Sequence, residues 1–340
     1  MMIVNEKPKI AVVIPCYNVR KHILDVVAAI GPEVFRIYVV DDCCPYGSGS
    51  FLKENTHDER VVVIRHDRNR GVGAAVMTGY QAAIDERMEV IVKIDGDGQM
   101  DPSLIAEFVL PIIEKEADYT KGNRFFNLES VKSMPKIRLF GNAILSFMTK
   151  LSSGYWNLFD PTNGYTAIHA DVAKHLPFSK ISKRYFFETD MLFRLNTLRA
   201  VVLDVPMVAK YADEVSGLKI SKIAAEFMVK HLKNFLKRLF YNYYLRDLSL
   251  ASIELPIGLV LLTFGAIFGG YHWINSASAN SVTSSGTVML AALPVLMGIQ
   301  FILAFLGHDI SSVPTRPISR SLQVRALCHK MDDDCMLKGK

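Results

Sequence analysis

From residue 9 onward, short β-branched runs alternate with stretches of helical spacing. KIAVVIP (9–15), FRIYVV (35–40), VVVIR (61–65) and VIVKI (90–94) are compact apolar runs. Between them, RKHILDVVAAI (20–30) and a segment reaching about Asp85 after NRGVGAA space their apolar residues three or four positions apart. A helix is expected over 103–117, a strand over 119–124 and a further helix near 187. Amphipathic helices are expected over 136–151 and 219–246, the second with lysines between its apolar positions. Short strands separated by helices imply βαβ units, and so an α/β domain whose mostly parallel sheet is covered on both faces.

The pattern changes near the C-terminal end. Residues 253–273 and 287–306 are apolar runs in which Glu254 is the only charge. Each has about the 20 residues needed to cross a hydrocarbon core. They are expected to be two transmembrane helices. The expected division is 1–215 for the α/β domain, 216–250 for an amphipathic juxtamembrane region, 251–308 for a transmembrane hairpin and 309–340 for a tail.

Charge orients this layout. Lys230, Lys233, Lys237, Arg238 and Arg246 precede the first span, Arg316, Arg320 and Arg325 follow the second, and the loop 274–286 carries no charge. Positive flanks face the cytoplasm, so both termini and the first domain are expected there, in an integral protein of the cytoplasmic membrane. The N-terminus lacks the features of a secretory signal. Of the 340 residues, the net charge of +5 gathers near the spans, which points to membrane lipid and not to nucleic acid. Five cysteines, Cys16, Cys43, Cys44, Cys328 and Cys335, form no disulfide framework, and CHKMDDDC at the tail matches no metal-site spacing.

Chemistry gathers where the strands end. Ligands of open α/β sheets bind outside the carboxyl ends of the strands, and there lie Pro15 and Tyr17, Asp41 and Asp42, and Asp95-Gly-Asp97-Gly-Gln99. Two like charges so close repel unless a cation lies between them. The stretch has no Glu at the twelfth position of a calcium loop. It suits Mg²⁺ or Mn²⁺ held by one or two carboxylates, with diphosphate oxygens and water completing the shell. A strand-end carboxylate such as Asp42 suits the N–H of a nucleobase, and Gly71 and Gly73 open a helix whose N-terminus favours anions. NRGVGAA lacks both G-x-G-x-x-G and a Walker lysine.

Together, VVIPCYN, VVDD, NRGVGAA and IDGDGQ resemble the family 2 glycosyltransferases of GT-A fold. KGNRFF, RLFGN, DPTNGYTAI, FFETDML and the two apolar helices are similar to the polyprenyl-phosphate group within it, over about residues 9–310. The resemblance implies an inverting transfer of a sugar from a nucleotide diphosphate, expected to be UDP-glucose or UDP-N-acetylglucosamine, to undecaprenyl phosphate. It places Pro15, Tyr17, Asp42, Gly71 and Asp95 around the nucleotide, and Asp95, Asp97 and Gln99 at the metal. Arg124, Arg138 and Asn142 fall at the acceptor phosphate. VDDCCPYG departs from the family's commoner VDDGSTDG, so Asp41 is read as structural.

A phosphate monoester with its second pKa near 6 arrives already ionised, so the acceptor needs no general base. Two arginines suit its phosphate. Glu188 and Asp190 are therefore expected to bind sugar hydroxyls or steady the acceptor clamp, and Asp160 to order a turn. Two other readings remain: a polysaccharide synthase, which lacks support because neither Trp156 nor Trp273 lies in a Q-x-x-R-W motif, and a catalytically silent sugar-nucleotide binder. Packing of the hairpins between protomers would make a homo-oligomer.

Overall fold

The structure, a computed structural model, describes residues 7–126, 136–207 and 220–322, without the side chains of 136–138 and 220–224. The Arg138 side chain, Arg325 and the Cys328–Cys335 tail thus lie outside the described residues. Contacts divide the chain into two units, residues 1–234 with 314–340, and 235–313.

The first unit is built on seven strands: β1 (Ile10–Cys16), β2 (Val34–Asp41), β3 (Val61–Arg65), β4 (Val90–Lys93), β5 (Tyr119–Asn123), β6 (Thr166–His169) and β7 (Val202–Pro206), in the order β3-β2-β1-β4-β6-β5-β7. All neighbours run parallel except β6, which is antiparallel to both β4 and β5. Helices α1 (Ile23–Ala28), α2 (Ser48–Asn55), α3 (Val72–Asp85) and α4 (Ile105–Ile113) connect or follow the first four strands. Later come α5 (Lys136–Ser153), α6 (Ala170–Lys174), α7 (Phe187–Leu198) and α8 (Ile220–Phe240).

Strand pleating sorts the side chains. Successive residues point to opposite faces, and Val12, Ile14, Val39, Val92, Ile94 and Ala167 join one buried cluster with Ile23 of α1 and Phe108 of α4. On the opposite face, register aligns Tyr38, Val13, Lys93, Thr166, Lys121 and Asp204 across six strands. That row is apolar or aromatic under α3 and polar or charged beyond it. The Val13 side chain is close enough to α3 that a Cβ at Gly79 would stand 2.3 Å from its Cγ1.

Strands β6 and β7 and helix α2 go beyond the sequence-based expectation. β6 has four residues, too few to show a period, and enters the sheet only by pairing with strands distant in sequence. The helix expected over 219–246 ends at Phe240 and continues as a π-helical turn, Tyr241–Arg246.

In the second unit, α9 (Ala251–Ser278) and α10 (Ser285–Ser311) form a hairpin, and both are long and apolar enough to cross a membrane. Glycines set their spacing: a Cβ on Gly298 would lie 2.7 Å from the Leu262 nitrogen, and one on Gly265 2.8 Å from the Ala291 carbonyl oxygen. α10 extends beyond the expected span to include Asp309. That fully buried carboxylate meets Arg238 through two bonds of 2.6 and 2.9 Å and accepts from the Tyr243 hydroxyl at 2.6 Å.

After the hairpin, the chain returns to the first unit and is fastened there by Asp118, just before β5. The buried Asp118 carboxylate accepts from Val201 N at 2.8 Å, Ile318 N at 2.9 Å and Ser319 N at 2.8 Å. Asp118→Ala removes the acceptor of three backbone donors and is expected to cost about 3 kcal/mol. A lower unfolding temperature in detergent and faster tryptic cleavage after Arg320 would register the loss.

Candidate active site

The connections diverge on either side of β1, since β2 and β3 build outward on one side and β4 begins the other. This is the position at which open α/β sheets bind ligands. At the end of β1 stands Pro15, part-buried, and just beyond the strand Tyr17, 48% exposed. Beyond β4, Asp97 Oδ1 accepts from Gln99 N at 3.0 Å, and Gly98 closes the turn at φ +77°. Asp95, Asp97 and Gln99 remain part-exposed.

The cation sought between the carboxylates is supplied in part by the chain itself. Lys93, at the end of β4, is 1% exposed, and its Nζ lies 2.7 Å from Asp95 Oδ1 and 3.8 Å from Glu188 Oε1 in the first turn of α7. Gly164 makes room: a Cβ there would stand 2.6 Å from Lys93 Nζ. Desolvation alone would depress the lysine pKa, but Asp95 and Glu188 outweigh it and raise the value. Two strands away, buried Lys121 donates to the Asn163 carbonyl. Desolvation, partly offset by Glu188 and Asp160, brings its pKa down to about 8. Burial pushes the Glu188 carboxyl up against the opposing pull of both lysines.

On the nucleotide side, two of the expected residues are engaged within the protein. Asp42 does not present itself to a base: it is 3% exposed, its Oδ1 lies 2.7 Å from His66 Nδ1 and accepts from Arg70 N at 2.8 Å, and its Oδ2 accepts from Gly71 N at 2.7 Å. A carboxylate so surrounded organises the loop entering α3. Nor is the start of α3 an open anion site, because Gly73 N and Ala74 N both donate to the Lys183 carbonyl, at 3.0 and 3.4 Å. Gly71 has φ +95°, and a Cβ there would stand 2.3 Å from the Lys183 oxygen, so its role is close packing. Asp41 is structural as expected, accepting from Cys44 N at 2.7 Å and Gly49 N at 3.0 Å.

On the other side of the site, Arg124 forms a fork on the fully buried Asp160, Nε to Oδ2 at 2.7 Å and an Nη to Oδ1 at 3.1 Å. Asp160 thus orders its turn and also orients Arg124. Asn142 lies part-buried on α5, which also carries residue 138. Glu188 and Asp190 separate cleanly. Asp190 is 6% exposed, accepts from Ser182 N at 2.8 Å and Asn234 Nδ2 at 3.0 Å, and joins α7 to α8. Glu188 alone of the two faces the Asp95 side, through Lys93.

Among the described residues no three His, Cys, Asp or Glu side chains converge on a metal position. The donor set nevertheless fits Mg²⁺ or Mn²⁺ arriving with a nucleotide, because such ions keep waters and take phosphate oxygens beside one or two carboxylates. Asp97 and the second Asp95 oxygen would be the two carboxylate donors.

Residues 11–176 match the profile of glycosyl transferase family 2. A UDP-N-acetylglucosamine–dolichyl-phosphate N-acetylglucosaminyltransferase of Methanococcus voltae is 30% identical over 218 residues, 60% of this chain and 86% of the relative. The chain belongs to glycosyltransferase family 2. A polyprenol monophosphomannose synthase of Mycolicibacterium smegmatis is 29% identical over 202 residues, 58% of this chain and 75% of that one. The GT-A fold is shared with glucosyl-3-phosphoglycerate synthase of Mycobacterium tuberculosis bound to phosphoglyceric acid, at TM-score 0.51 and 17% identity over 69% of this chain and 81% of that one. The same enzyme with Mn²⁺, UDP-glucose and phosphoglyceric acid aligns equally, at TM-score 0.51 and 15% identity, covering 69% and 80%.

In this glycosyltransferase, Lys93, Lys121, His66 and Asp204 are the site-region residues that the motifs did not bring forward. Lys93 had a readable signal, a lysine inside an apolar strand. Asp204 lies beside Lys121 in register, and its Oδ2 accepts from Phe159 N at 2.6 Å. Burial raises its pKa to about 6. A raised acid holds its proton longer in the folded state than in the unfolded chain, so stability falls as pH rises from about 4 to about 6. Asp204→Asn should remove that dependence, recovering on the order of 2 kcal/mol at neutral pH, as read from unfolding midpoints across this range.

Proposed function

We propose that this glycosyltransferase moves a sugar from a nucleoside diphosphate to a polyprenyl phosphate at the cytoplasmic face of a membrane, with inversion at the anomeric carbon. The observation that carries the reading is the Asp95–Gln99 turn at the sheet's divergence point, in a chain whose following unit is an apolar helical hairpin. The names of the Methanococcus and Mycolicibacterium relatives support a lipid-phosphate acceptor. A UDP-sugar, glucose or N-acetylglucosamine, is the donor we favour.

The protein's own contributions can be assigned by chemistry. Tyr17 and Pro15 offer a surface for the base beside β1, and Asp95, Asp97 and Gln99 would hold Mg²⁺ or Mn²⁺. Such an ion supplies charge neutralisation for the departing diphosphate when bound. Arg124, held by Asp160, and Arg138, with Asn142 one turn along α5, suit the phosphate of the acceptor. Because that phosphate is already ionised, these residues orient a ready nucleophile and need not remove a proton from it. Glu188 suits hydroxyl groups of the donor sugar, since it lies on the Asp95 side. The basic residues flanking the hairpin support a cytoplasmic position for both termini.

The test is transfer of radiolabelled sugar from UDP- and GDP-sugars to undecaprenyl phosphate with Mg²⁺. Nucleotide binding without lipid-linked product from any donor would favour the silent binder. Asp97→Ala is expected to reduce transfer at least about 100-fold in a protein that still folds in membranes. Arg138→Ala should weaken use of the lipid phosphate more than donor binding, as separate KM measurements would show.

A further inference from the structure

Lys93 is a buried ammonium shared between two carboxylates from distant parts of the chain. Asp95 lies in the turn after the same strand and Glu188 in the first turn of α7, at 2.7 and 3.8 Å. The lysine is 1% exposed, whereas the Asp95 side chain is 30% exposed. A cation approaching from solvent therefore meets an Asp95 already paired on its inner side. Gly164, just before β6, leaves room for the pair, since a Cβ would stand 2.6 Å from Nζ and 2.9 Å from Asp95 Oδ2.

We propose that Lys93 is a resident counter-ion that keeps the Asp95–Asp97 turn from retaining a divalent ion by itself, so that metal and nucleotide diphosphate enter together. The inference rests on the reading of this turn as the metal and diphosphate site. Its physical basis is charge balance. Without Lys93, the Asp95 charge would stand uncompensated beside that of Asp97 in one turn, an arrangement more attractive to a small divalent cation. With the ammonium in place, one of those charges is neutralised, and the ion position becomes strongly attractive only when diphosphate oxygens bring additional negative charge. Lys93 acts through Asp95 and is a positioning residue. Its link to Glu188 also places the carboxylate proposed for the sugar at a set distance from the one proposed for the diphosphate.

The experiment is a Mn²⁺ titration of the full chain in detergent, followed by electron paramagnetic resonance, with and without UDP or GDP. The wild-type protein should hold Mn²⁺ at least about tenfold more tightly with nucleotide than without. Lys93→Gln should tighten nucleotide-free Mn²⁺ binding by at least about tenfold, a gain that mere loss of structure cannot produce. The proposal is overturned if the wild type binds Mn²⁺ equally well without nucleotide, or if folded Lys93→Gln shows no tightening. If circular dichroism shows that Lys93→Gln does not fold, the wild-type comparison decides. Failure of the wild type to retain Mn²⁺ with either nucleotide would instead sink the metal-site reading itself, and the inference with it.

Discussion

A charged amine buried in a β-sheet interior is the constraint around which the first unit is arranged. Removing an ammonium from water is unfavourable by several kcal/mol, and the interior compensates only with close, well-directed partners. For Lys93 those partners are Asp95 and Glu188, so the turn after β4 and the first turn of α7 must both be in place. The position of Gly164 just before β6 follows from the same demand, because any side chain there would occupy the ammonium's space. Losing one member would leave a buried charge uncompensated, the costly way to break such a group. Fold and site are thus interdependent at this point.

The carboxylates of the unit fall into two kinds when sorted by what they bond. Asp41, Asp42, Asp118, Asp160 and Asp190 are buried and accept from backbone N–H groups or fixed side chains. Each holds a loop or joins elements far apart in sequence. Asp95, Asp97 and Glu188 keep part of their surface open, the first two in the turn after β4 and the third in the first turn of α7. This distinction separates neighbours that look equivalent in sequence: Asp190 ties α7 to α8, while Glu188, two residues earlier, faces the opposite way toward Lys93. Arg124 gains its fixed orientation from the structural kind, through Asp160.

Much of this was legible wherever a period or a strand end carried the signal. Residues 61–65 were read as a strand at their observed limits, because a β-branched run bounded by polar residues has few other conformations. The two apolar helices were readable from length alone. β6 and β7 were not, since TAIH and VLDVP are short runs broken by polar residues or proline, unlike the β-branched runs of β3 and β4. The partners of Asp42 were not readable, because a strand-end carboxylate can point to ligand or to backbone, and only folding brings His66 and Arg70 to it. Asp309 was missed because the hydropathy run ends before it, although the helix continues and Arg238 neutralises it.

The disposition of the acidic pair also bears on the proposed chemistry. A hydroxyl acceptor would need a carboxylate with an unoccupied oxygen placed to take its proton. Both Asp190 oxygens accept hydrogen bonds within the protein, and the described Glu188 contact directs an oxygen toward the Lys93 ammonium. Asp190 is thus engaged on both oxygens and is not arranged as a base for a hydroxyl proton. A lipid phosphate makes no such demand, because it arrives deprotonated and requires cations to orient it. Arg124, locked in a planar fork by Asp160, is the kind of group that can do so without losing side-chain freedom on binding. The layout of charge and the proposed acceptor therefore fit each other: carboxylates are held back as counter-ions and braces, and a pre-oriented guanidinium stands in the part of the site assigned to the phosphate.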